Sequence, residues 1–146
     1  MSPLFLVATL AVAQPTAHEH HDHAEKLGSV AFQTSCSPVA QEKFLHGVAW
    51  LHSFEYEQAE SNFSEAAAAD RSCAMAHWGV AMSLYHPLWA PPTAAELDRG
   101  RGAVARAQAT TTISDRERGF VEAIAAFYKV PPSSTTRRGR LLTTSQ

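Results

Sequence analysis

Residues 40–69 read AQEKFLHGVAWLHSFEYEQAESNFSEAAAA, and residues 74–85 follow as AMAHWGVAMSLY. Apolar and small residues recur here at intervals of three and four, with no sustained alternation, which is the period of helices and not of strands. Phe44, Val48 and Leu51 fall on one face of a first helix, and Gly47, Trp50 and Phe54 on another. Tyr56, Ala59, Phe63 and Ala66 make the stripe of a second, and Trp78, Met82 and Tyr85 that of a third. Ser37-Pro38 supplies an N-cap with proline at the first helical position. Short helices joined by short loops predict antiparallel αα-hairpins.

The pattern continues downstream. Pro87, Pro91 and Pro92 force a loop, after which Thr93-Ala94-Ala95-Glu96 opens a fourth helix carrying Leu97, Gly100, Val104 and Ala107. Ser114-Asp115-Arg116-Glu117 opens a fifth, with Phe120, Ile124, Phe127 and Tyr128. The helices also repeat. On a 34-residue frame starting at Ala40, Gly47, Trp50, Ala59, Phe63 and Ala66 take the small and large slots of an interlocked hairpin. A second frame starts at Ala74 and places Ala81 and Leu84 in equivalent slots. Its second helix comes late, because seven extra residues sit in the loop 86–92. The fifth helix matches the first half of a third unit. The expected fold is all-α, with antiparallel helix hairpins stacked as a short solenoid of about two and a half repeats.

At these residues the chain resembles the tetratricopeptide repeat family, and in residues 51–54 and 73–83 its exported bacterial members. Arg71 stands where the family usually has proline. The resemblance implies that successive first helices line a concave groove for a protein or peptide. Its walls would be Phe44, Val48, Leu51 and His52 from the first repeat, and Trp78, Met82, Tyr85 and His86 from the second. No Lys, Arg or Asn stands at these positions, so an apolar peptide or amphipathic helix suits the groove better than a terminal carboxylate does. The competing reading is that residues 27–32, or further repeats, cover this surface as core. His52 and His86 share one repeat position and would be neighbours in the groove. His77 falls where the family often has tryptophan and reads as a packing residue.

The ends read differently. Of 146 residues, 45% are apolar and 18% charged, with net charge −2. That balance excludes a wholly disordered chain and gives no basic excess for nucleic acid. Residues 1–13 carry the apolar run 4–12 and a small-x-small site, the pattern of a signal peptide too short to span a bilayer, so a periplasmic or secreted protein is expected. Residues 14–35 read as a flexible linker, 36–130 as the repeat domain and 131–146 as a disordered basic tail with three arginines. The linker holds His18, His20, His21 and His23, which could chelate Zn, Cu or Ni loosely or act as a solvated spacer; no other cofactor is expected. The abrupt loss of period at Pro131, beside an unfinished third repeat, suggests the N-terminal piece of a longer protein or a shifted reading frame. Phosphate-loop, nucleophile-elbow and zinc-protease motifs are absent from the sequence, and Glu55, Glu57, Glu60 and Glu65 read as a solvated helix face, so a non-enzyme is expected. Cys36 precedes the first helix and Cys73 follows the second; an antiparallel hairpin brings those ends together, which predicts a disulfide in an oxidising compartment.

Overall fold

The first helix starts where its capping residues require. The Ser37 hydroxyl accepts from the Ala40 N–H, Pro38 occupies the first turn, and α1 runs Pro38–His52. The computed structural model describes residues 27–86 and 90–129. Four more helices follow, α2 (Tyr56–Ala69), α3 (Ala74–Tyr85), α4 (Ala94–Ala109) and α5 (Asp115–Lys129), and no strand occurs among the described residues. The fourth helix begins with a full capping box between Thr93 and Glu96. The fifth begins with Ser114, whose N–H and hydroxyl both reach the Glu117 carboxylate. No described helix is long and apolar enough to cross a membrane.

Consecutive helices pack against one another, and α1, α3 and α5 also touch in series, whereas the backbones of α2 and α4 stay apart and the Arg99–Glu60 ion pair bridges them. The result is a helical-repeat-like stack of two layers. Its first-helix layer is continuous and its second-helix layer is open. The hairpins interlock through large residues seated on glycines. Phe63 is fully buried and lies against the backbones of Gly47 on α1 and Gly79 on α3, where an added Cβ would collide with its ring. Tyr128 fills the equivalent place against Gly100. Its hydroxyl donates to the Ala81 carbonyl at 2.7 Å, and burial followed by the nearby Glu96 charge pushes its pKa up to about 12. The last helix therefore buries Tyr128 and half-buries Phe120 and Phe127.

Cys36 and Cys73 are joined by a disulfide, with 4.7 Å between their Cα atoms. Beside it the Ser37 N–H donates to Asp70 Oδ2 at 2.8 Å, so the open end of the α1–α2 hairpin is closed twice. Phe54 departs from its expected place on the first helix. It lies in the turn between α1 and α2 with φ 62°, a left-handed conformation rare for an aromatic residue.

Candidate functional site

The face expected to line a groove is partly covered by the chain's own N-terminal residues. Phe44 and Trp78, one on each first helix, turn towards the same space. The side chain of Phe32 enters that space. Its ring centroid lies 5.3 Å from Phe44, 6.3 Å from Trp78 and 5.3 Å from Phe120 of α5. The Arg116 guanidinium covers the outer side of the ring at 4.3 Å. As a result Phe44, Val48 and Trp78 are buried (0%, 5% and 8% exposed), which corrects the expectation that they form an open binding surface. The physical reason is ordinary: an aromatic stripe at helical spacing found an apolar residue of its own chain to pack on. The flexible linker expected through residue 35 is corrected in the same way, since Val30 and Phe32 pack against the core.

The backbone of this N-terminal strap is held as well as its side chain. The Gln41 amide donates from Nε2 to the Phe32 carbonyl at 2.8 Å and accepts from the Thr34 N–H at 2.9 Å. Arg116 donates to the Gln33 carbonyl. The Ser35 N–H and hydroxyl both donate to Glu117, a carboxylate only 2% exposed. Burial pushes this carboxyl up, but the hydrogen bonds from Ser35 and Ser114 outweigh burial and hold its pKa below the ordinary glutamate value. Sequence reasoning missed Gln41, Arg116 and Glu117 as a set. The visible signal was the apolar run Val30-Ala31-Phe32, shortly before a helix N-terminus.

The remaining residues expected on that face are less covered. Leu51 lies about 10 Å along α1 from Phe44, and Tyr85 the same distance along α3 from Trp78. Leu51, Met82 and Tyr85 are half-buried, and Tyr85 meets Phe127 edge-on at 4.3 Å. The two histidines expected as neighbours have separate surroundings. His52 is exposed in the last turn of α1. The ring of His86 packs on Tyr56, with Nδ1 3.1 Å from the Ala90 carbonyl and Nε2 3.1 Å from Glu96 Oε1. Both ring nitrogens are thus engaged by the α3–α4 loop and α4. Two hydrogen bonds from Thr93 and one from His86 bring the Glu96 pKa down to about 2. Among the described residues no group of three or more His, Cys, Asp or Glu could hold a metal. The His18, His20, His21 and His23 tract lies outside the described residues, as do the expected signal segment and tail.

Comparison of the chain with protein-family models, with curated proteins and with solved structures found no match.

Proposed function

We propose that this chain is a non-catalytic, exported scaffold of tetratricopeptide type whose first-helix face holds an extended protein or peptide segment. The observation that supports this most is the way the face treats residues 30–35. An aromatic pocket takes one side chain, while Gln41, Arg116 and Glu117 pair with backbone groups, which any sequence presents, and Gln41 and Glu117 also accept from the Thr34 and Ser35 hydroxyls. A surface that reads backbone by hydrogen bonds and one side chain by a pocket is built for peptide recognition. A partner segment would run along Leu51, Met82 and Tyr85 and compete with Phe32 for the pocket. The tethered strap is an intramolecular competitor at millimolar effective concentration, so the partner must exceed that. The Cys36–Cys73 disulfide supports an oxidising compartment.

The test is to supply the strap in trans. A labelled peptide of residues 27–35 should bind the Phe32→Ala protein and leave the unaltered protein unbound, read by fluorescence anisotropy. Adding Tyr85→Ala should leave this binding unchanged while weakening capture of any longer partner. If Phe32→Ala stays folded and ignores the peptide at millimolar concentration, the face is core and the reading fails.

A further inference from the structure

The opposite side of the molecule carries a second, unrelated feature. Because the backbones of α2 and α4 stay apart, a furrow runs between them, with α3 as its floor and the Arg99–Glu60 ion pair crossing it at one end. One end is an open cleft of about 700 Å³ within the size range of small-molecule sites. Arg71 lines it from the turn after α2, His77 from α3 and Arg106 from the last turn of α4, with Ser72 and the threonines 110–112 around the rim. The Ser72 hydroxyl donates to Asp70 and that of Thr110 to the Arg106 carbonyl, and Arg106, whose guanidinium lies beside Gly102, also lines the far end of the furrow. No carboxylate lines this end.

The neighbouring acids are engaged elsewhere. Glu60 pairs with Arg99 and Asp98 with Arg101 at the other end of the furrow. Asp70 accepts from the Ser37 N–H and from both the N–H and hydroxyl of Ser72. Neither Arg71 nor Arg106 makes an ion pair among the described residues. His77, expected as a packing residue, is half-buried here, and burial followed by the Arg106 charge lowers its pKa. Cationic groups facing one space without a counter-charge repel each other, and the repulsion is relieved by an anion. Two guanidinium forks, with the hydroxyls of Thr111 and Thr112 at the rim, suit the acceptor oxygens of an oxyanion.

We propose that the Arg71–His77–Arg106 cleft is a binding site for a small oxyanion bearing more than one negative charge, either a phosphate or a polycarboxylate. Arg71 and Arg106 supply the charged donors, and Thr111 and Thr112 at the rim supply hydroxyl donors to the remaining lone pairs. The site is open to solvent, so its affinity falls with added salt.

Pyrophosphate and citrate, titrated separately into the full chain, test it by amide and imidazole NMR shifts against sodium chloride of equal ionic strength. Shifts confined to residues 71–72, 77, 106 and 110–112 are expected. The His77 imidazole, which faces Arg71 and Arg106 here and Glu60, Asp98 and Arg99 further along the furrow, should titrate at higher pH when the anion is bound. Binding of pyrophosphate alone assigns the site to phosphates, and binding of citrate alone to carboxylates. Both arginines are exposed, so Arg71→Gln and Arg106→Gln should keep the native circular dichroism while each weakens binding about tenfold, the loss of one charged contact. The proposal is overturned if neither anion exceeds the chloride control, or if the folded Arg106→Gln protein binds as tightly as the parent.

Discussion

The two hairpins both seat a large ring on a helical glycine but are closed by different means. In the first, α1 and α2 follow the repeat spacing without insertion, and their open end is sealed by the Cys36–Cys73 disulfide and the Ser37–Asp70 hydrogen bond. In the second, α3 and α4 are joined by a longer loop, secured by the contacts of His86 to Ala90 and Glu96 and by the Thr93–Glu96 box. A large ring on a glycine serves both, but in the first it is Phe63 of the hairpin's own α2 on Gly47, and in the second it is Tyr128 of the following α5 on Gly100. The difference shows that the interlock tolerates a variable connection, provided something at the hairpin end replaces the lost tightness. A covalent closure acts largely on the unfolded chain, whereas the polar closure acts only in the folded one.

The largest effect should come from removing the covalent closure. The bridge spans a sequence separation of 37 residues, for which chain entropy gives about 4 kcal/mol. Cys36→Ser with Cys73→Ser should lower denaturant stability by about that amount, and reductant should reproduce the loss in the unaltered protein. A loss below about 1 kcal/mol would mean that the Ser37–Asp70 contact and the Phe63 interlock suffice, and that the hairpins differ less than their ends suggest.

Next in size is the shared interlock. Gly79 meets the ring of Phe63, which has no free space into which to withdraw, so Gly79→Ala should cost about 3 kcal/mol by overpacking. Gly102 sits on α4 with only the Arg106 side chain near its Cβ direction at 3.6 Å, so Gly102→Ala should be neutral or stabilising by a few tenths. Thermal denaturation of the two variants separates a packing requirement from a general aversion to side chains at helical glycines.

The strap ties both hairpins to α5, and its hold depends on pH. A carboxyl whose pKa is lower in the folded than in the unfolded state contributes all its stability above the unfolded value and loses it as pH falls towards the folded one. For Glu117 the loss begins below the ordinary value of 4.5. Acid should therefore loosen residues 30–35, read as a change in Trp78 fluorescence as Phe32 leaves its ring. Glu117→Gln should cost about 2 kcal/mol at neutral pH, since the Ser35 and Ser114 donors lose a charged acceptor, and should flatten the acid limb.

The helices were legible because their ends carry local chemistry. Ser37-Pro38, Thr93 with Glu96 and Ser114 with Glu117 each act within one turn, and the structure starts a helix at each. The disulfide was legible once the hairpin was. The state of the groove was not, because it depends on residue 32 meeting residues 44, 78 and 120, and no periodicity encodes which of two apolar surfaces finds the other first. The outer cleft was still less visible. Arg71, His77 and Arg106 come from three segments, and they meet only because α2 and α4 stay apart. Phe54 was misread for a related reason: its spacing continues the helix stripe, but Ser53 already caps the helix.

That turn provides the smallest and most local contrast. The first hairpin reverses between Ser53 and Glu55 with an aromatic residue at positive φ, while no other described non-glycine residue adopts that conformation. The left-handed region costs an L-residue about 1–2 kcal/mol, and glycine avoids it. Phe54 is 52% exposed, so its removal forfeits only part of its burial. Glycine also loses more freedom on folding than phenylalanine does, which offsets some of the relief. The balance favours Phe54→Gly by about 0.5 kcal/mol, and Phe54→Asn, which tolerates the same region and keeps backbone entropy lower, by a similar amount. Urea unfolding can read either. If both variants lose more than about 1 kcal/mol, the phenylalanine ring secures the tight turn by packing, and the first hairpin has a third closure that the second lacks.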